Sequence, residues 1–207
     1  MAQSKASSFR WKQRQHRDPY VERAAKEGWR SRAVFKLEQI DQREHLLKHG
    51  AVCVDLGAAP GGWSQFASRR VGATGRVVAI DLLVMDPIDG VEFIRGDFGS
   101  PQGLNALRET LGEQRVDLVL SDMAPNISGN NAIDSPRSIA LAEEALLFAE
   151  EILKPGGSFL VKLFQGEGFP EFQARVRPKF QKTKLIKPRA SRPESREIYL
   201  LARQYRM

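Results

Sequence analysis

The chain has 207 residues, 42% of them hydrophobic, with a single cysteine and a formal net charge of +7. That length fits one domain with a full core, and no apolar run reaches the ~18 residues of a membrane helix or forms the apolar block of a secretory signal. The lone Cys53, set in an apolar run, excludes an internal disulfide and is expected to be a small buried hydrophobe of a cytoplasmic protein.

Residues 1–18 are polar and basic without apolar periodicity, so they read as a flexible basic arm ahead of one domain over 19–207. An organelle transit peptide would share its arginines and serines, but the arm lacks leucine and an apolar helical face. Ser31 is a candidate helix N-cap, and Val34, Leu37, Ile40 and Leu47 follow at helical spacing, with Arg32 and Lys36 four apart. Strand-like runs then fall at 51–56, 76–81, 91–95, 116–121, 157–163 and 196–202. Helical segments fill the gaps at 62–71, 102–112, 136–153 and 168–177, the third opening on Pro136 and stopping at Pro155-Gly156-Gly157. Strands alternating with helices predict a parallel, doubly wound α/β sheet.

The first strand runs into a turn, Gly57-Ala58-Ala59-Pro60-Gly61-Gly62, at the place where open α/β sheets bind ligands. Its spacing departs from the G-x-G-x-x-G of dinucleotide sites, whose pyrophosphate sits on a helix N-terminus. Asp81, Asp97 and Asp122 close or follow the next three strands. Each alone could be a cap or turn residue. Together they would repel a pyrophosphate and suit a phosphate-free nucleoside carrying an ammonium and a sulfonium, which describes S-adenosyl-L-methionine. Asp81 is placed to accept the ribose hydroxyls.

Lys162 interrupts the apolar run Gly157-Ser158-Phe159-Leu160-Val161-Lys162-Leu163-Phe164. A lone lysine there could snorkel out from a sheet edge. If the last strand runs antiparallel, however, Glu197 joins Asp122 and Lys162 at one edge, and Lys36 can cover them. Methylating a sugar hydroxyl needs alignment and a way to remove a proton. A lysine accepts a proton only when neutral, a state that burial and a second cation favour and carboxylates oppose. His16, His45 and His49 lie outside these motifs and no metal is expected.

The segments D-L-G-A-A-P-G-G-W-S-Q (55–65), S-D-M-A-P-N-x-S-G (121–129), G-G-S-F-L-V-K-L-F-Q-G-E-G (156–168) and S-R-E-I-Y (195–199) closely resemble the FtsJ/RrmJ (RlmE) family. So does S-R-A-V-F-K-L (31–37), and the resemblance runs from about residue 18 to 203. It implies a Rossmann-like class I S-adenosylmethionine-dependent methyltransferase fold: seven strands, mostly parallel with the last antiparallel, and helices on both faces. It implies a catalytic tetrad of Lys36, Asp122, Lys162 and Glu197, with Lys162 as proton acceptor. Cofactor positions carry over to Gly57, Gly61, Trp63, Asp81, Asp97 and Asp122. The implied reaction is 2′-O-methylation of a uridine in the A-loop of 23S ribosomal RNA, within the assembled large subunit, by a monomer.

Charge is distributed to match. Residues 1–50 carry 12 Lys and Arg against 6 Asp and Glu, residues 51–174 carry 9 against 17, and residues 175–207 carry 11 against 2. Basic ends can grip RNA phosphates while the acidic middle holds a cationic cofactor. Arg32, Lys36, Lys187, Arg189, Arg192 and Arg196 are the candidate RNA face, with Phe9 and Trp11 able to stack on bases. Two other readings exist: the same chemistry on a tRNA or an mRNA cap, and a noncatalytic ribosome-assembly factor. An altered tetrad or broken glycine turn would favour the latter, and neither is present.

Overall fold

The computed structural model describes residues 18–125, 128 and 130–207; the arm with Phe9, Trp11 and His16 lies outside the described residues. Asp18 is within them and caps the first helix, α1 (Pro19–Glu27), by accepting the Tyr20 N–H at 3.0 Å. Helix α2 (Val34–Glu44) follows, then β1 (Val52–Leu56), α3 (Gly62–Val71), β2 (Arg76–Asp81), β3 (Val91–Arg95), α4 (Pro101–Leu111) and β4 (Val116–Ser121). Helix α5 (Asn131–Ile152) leads into β5 (Leu153–Phe164), and α6 (Phe169–Val176) into a 3₁₀ turn (Arg177–Lys179), β6 (Phe180–Ile186) and β7 (Glu197–Tyr205). Among the described residues, no helix is long and apolar enough to cross a membrane.

The seven strands are ordered β3-β2-β1-β4-β5-β7-β6. The first five pair in parallel, and β7 lies antiparallel between β5 and β6. This is the Rossmann-like architecture, with its topological switch between β1 and β4. Successive side chains of a strand face opposite sides of the sheet. In β5, Phe159, Val161 and Leu163 join the core beneath α4, α5 and α6, whereas Leu160 joins the core beneath α1, α2 and α3. In β7 the same division places Ile198, Leu200 and Ala202 on the first side and Tyr199 and Leu201 on the second. Parity therefore sends Lys162, Glu197 and Tyr199 to the face covered by α2.

Several boundaries differ from those the sequence suggests. Ser31 does not cap α2: the N-cap is Ala33, without a side-chain bond, and the N–H groups of Val34, Phe35 and Lys36 donate three residues back. Arg32 thus precedes the helix. Leu47 lies beyond the end of α2 but is buried, its N–H held with that of Leu46 by the Asp41 carboxylate at 2.8 and 2.9 Å. Pro136 sits inside α5, which begins at Asn131. Pro155-Gly156-Gly157 falls within β5, where the register against β4 shifts between Val116 and Leu118. Helix α1, absent from the elements the apolar pattern suggests, is marked by Asp18 before Pro19 and Gly28 at its stop. Strand β6 lacks alternation because it is an edge strand, exposed along Gln181–Leu185.

Candidate active site

Strand register brings the four proposed catalytic groups together. Lys162 stands directly opposite Tyr199 across the β5–β7 pair, and Phe164 opposite Glu197. The Lys162 amine, on a side chain 8% exposed, lies 3.0 Å from Asp122 Oδ1 and also donates to the Asp122 backbone carbonyl. Lys36, one turn into α2, places its Nζ 2.8 and 3.0 Å from the two Glu197 carboxylate oxygens. Two largely buried ion pairs, each drawn from distant parts of the chain, thus occupy one side of the sheet's rim.

Tyr199 joins them. Its hydroxyl donates to Asp122 Oδ1 at 2.7 Å, and Lys36 Nζ lies 5.8 Å from its ring centroid. Burial, with the charges of Asp122 and Glu197, pushes the phenol well above its ordinary range, so it stays a donor. Burial alone would also raise the Asp122 carboxyl, but the charges of Lys162 and Lys36 and the Tyr199 hydroxyl outweigh it and hold it below its usual value. Asp122 is therefore a fixed anion. Tyr199 was not among the residues singled out as catalytic. The available signal was its position two residues after Glu197, which puts both on one face of a strand.

Trp63, expected at the cofactor, has its side chain in the packing under this cluster. It is 3% exposed, donates Nε1 to the Ala33 carbonyl at 2.8 Å, and its ring centroid lies 5.7 Å from that of Tyr199. It braces α2 and Tyr199 and leaves little side-chain surface for a ligand.

The expected cofactor carboxylates lie at or just past the carboxyl ends of neighbouring strands. Asp81, at the end of β2, accepts the Ala59 N–H at 2.9 Å and the Leu83 N–H at 2.8 Å, one with each oxygen. Asp97 is exposed just past β3 and accepts the Gly99 N–H at 3.0 Å. The turn between β1 and α3 is forced to be glycine at two points. Gly57 has φ +77°, and a Cβ there would stand 2.5 Å from Met123 Cγ. Gly61 has φ +105°, and a Cβ there would meet Ile88 and Met85 at 2.7 Å. Its glycine thus serves the approach of the loop following β2.

Asp55 is fully buried inside β1. One of its oxygens accepts the Ser64 hydroxyl at 2.6 Å, and the other is buried without a partner. Burial foremost, then the charges of Asp122 and Asp81, push its carboxyl up to about 7. Asp81 and Asp97 have no ion pair among the described residues, so their carboxylates suit a cation and would reject a pyrophosphate, and the residues present fit S-adenosylmethionine. The raised value also has a stability consequence. Between about pH 4 and 7 the folded chain keeps a proton that the unfolded chain has released. Stability therefore falls as pH rises through that window, by up to roughly 4 kcal/mol. Asp55→Asn should flatten this slope in denaturant unfolding of the ligand-free protein measured at successive pH values. An identical slope in the variant would place the raised group elsewhere.

A sequence model for FtsJ-like methyltransferases matches residues 29–205. The chain belongs to that family. A crystal structure of a ribosomal RNA methyltransferase from Plasmodium falciparum superimposes with a TM-score of 0.78 at 31% identity, covering 86% of this chain and 98% of that one. An rRNA methylase from Clostridium thermocellum shares the fold, with a TM-score of 0.55 at 21% identity over 81% of this chain and 96% of that one.

In this FtsJ-like chain the candidate RNA-contacting cations differ in availability. Arg32 is engaged: it pairs with Asp18 at 2.9 Å and donates to the Ala190 carbonyl, which ties α1 to the loop between β6 and β7. Arg192 reaches the same Asp18 carboxylate at 3.8 Å. Lys187 donates to the Ser195 carbonyl at 2.7 Å, and Arg196 to the Gln165 carbonyl, both while exposed. Arg189 is exposed and has no hydrogen bond or ion pair among the described residues. All four loop cations sit on the stretch that joins Ile186 to Glu197, beside the Lys36–Glu197 pair.

Proposed function

We propose that the protein transfers a methyl group from S-adenosylmethionine to the ribose 2′-hydroxyl of a uridine in large-subunit ribosomal RNA, the A-loop of 23S RNA in the assembled particle. The observation that carries this reading is the Lys162 amine held 3.0 Å from the Asp122 carboxylate at the rim of an anionic notch. S-adenosylmethionine supplies a sulfonium-activated methyl group. Asp81, Asp97, Gly57 and Gly61 would hold it, and Asp122 would serve both the cofactor and the catalytic cluster. Lys162, fixed by Asp122, would first lose its ammonium proton to solvent and then, as the neutral amine, receive the hydroxyl proton, while Tyr199 steadies Asp122 and the Lys36–Glu197 pair flanks the reacting oxygen. Asp122 cannot relieve Lys162 of that proton permanently, so release to solvent completes the cycle.

The cation-bearing loop between β6 and β7 would bind phosphates, with Arg189 the most available contact and Lys187, Arg192 and Arg196 around it. Arg32 would act through Ala190, by shaping that loop. The family membership, the P. falciparum ribosomal RNA methyltransferase and an intact tetrad support this reading over a noncatalytic assembly factor. The test is to map 2′-O-methylated ribose in ribosomal RNA from cells with and without the protein, then to restore the mark on undermethylated large subunits with purified protein and labelled donor. One large-subunit uridine should lose and regain its mark. An unchanged ribosomal map, or a lost mark on tRNA or cap only, would refute the assignment.

A further inference from the structure

The connection between α1 and α2 lies against the cofactor notch through one side chain. Arg30 donates from its two terminal nitrogens to successive backbone carbonyls, Asp86 at 2.5 Å and Pro87 at 2.6 Å. Its own N–H donates to Gln65 Oε1 at 3.2 Å, and Gln65 Nε2 returns a bond to the Gly28 carbonyl at 3.0 Å, which anchors Arg30 to α3. The Arg30 stem also lies 3.2 Å from where a Cβ on Gly61 would stand. One residue therefore touches both walls of the notch, the glycine turn after β1 and the loop after β2.

That second loop, residues 82–90, needs such a tie. Leu82, Leu83 and Val84 are 63%, 67% and 70% exposed, so burial does little to fix its first half. Met85 is buried, Leu83 N–H is held by Asp81, and the Ser68 hydroxyl reaches the Asp89 carbonyl at 2.7 Å. Between those points the backbone at Asp86 and Pro87 is held by the Arg30 fork. Segments with few buried contacts open at low free-energy cost unless hydrogen bonds restrain them. A planar guanidinium spanning two carbonyls restrains direction as well as distance, which a single ammonium does not.

We infer that Arg30 is a positioning residue for the methyl-donor site: it holds the loop that follows Asp81 at the spacing from the glycine turn that the donor requires. The inference rests on the reading that S-adenosylmethionine binds this notch. It differs in kind from the role of Arg32, two residues on, whose bonds go to Asp18 and Ala190 on the RNA side.

The experiment is calorimetric titration of S-adenosylhomocysteine into the wild-type chain, Arg30→Ala and Arg30→Lys, with hydrogen exchange of each ligand-free protein. Arg30→Ala should weaken binding about tenfold, the effect of losing charge-assisted bonds. Arg30→Lys should recover less than half of that loss in log affinity. Exchange should quicken in residues 82–90 and stay unchanged in 187–196. Affinities equal within twofold would overturn the inference while wild-type binding keeps the notch assigned. Exchange quickened across the whole domain in Arg30→Ala would equally overturn it, as a general loss of stability. A wild-type chain that takes up no S-adenosylhomocysteine would overturn the notch assignment itself, and this inference with it.

Discussion

Lys162→Ala is expected to lower methyl transfer by about 10²- to 10⁴-fold, the range of a positioned proton acceptor, while S-adenosylhomocysteine affinity stays within about twofold. The reason is location: the amine bonds only to the Asp122 carboxylate and carbonyl, opposite Tyr199, and among the described residues it makes no bond to the Gly57–Gly62 turn. Removing it leaves a buried carboxylate short of its main counter-charge. Breaking such a pair costs about 3–5 kcal/mol, here reduced by the Tyr199 hydroxyl that remains on Asp122. Lys162→Arg separates two roles. A guanidinium keeps the charge but cannot act as a base, so an inactive Arg variant that still binds cofactor supports proton acceptance. Near-normal single-turnover rates in either variant would remove Lys162 from the chemistry.

Asp81→Ala is expected to weaken S-adenosylmethionine binding by about 10- to 100-fold, measured by calorimetry, because two contributions fail together. A carboxylate bonded to ligand hydroxyls is worth about 1.5–3 kcal/mol. The same carboxylate also gathers the N–H groups of Ala59 and Leu83, and so pins the glycine turn to the loop beyond β2. Asp81→Asn should fall between the two, since an amide oxygen can serve one N–H while its NH₂ opposes the other. Affinity unchanged in Asp81→Ala would mean that the donor's ribose lies elsewhere along the rim.

The fold was legible where the chain alternates in strongly apolar blocks. β2, β3 and β4 fall on the very residues their patterns mark: β2 and β4 are apolar runs paired on both sides, and edge strand β3 still shows Val91, Phe93 and Ile94. Edge strand β6 escaped because Gln181, Lys182, Thr183 and Lys184 all reach solvent and leave no apolar run to read. Ser31 failed as a cap because α2 is entered through tight three-residue turns, while its side chain packs against Gly62. At the site, charged residues inside or at the ends of strands marked Asp122, Lys162 and Glu197. Tyr199 and Arg30 did not show in this way. A buried tyrosine looks like core until its hydroxyl is seen on Asp122, and an arginine in a connecting segment looks like surface until its fork is seen on two carbonyls.

Lys36 comes from a helix that precedes the first strand, whereas its counter-ion Glu197 opens the last one. Displacing β7 from β5 would part Glu197 from Lys36 and Tyr199 from Asp122 at one stroke, so the cluster is only as durable as that single antiparallel pairing.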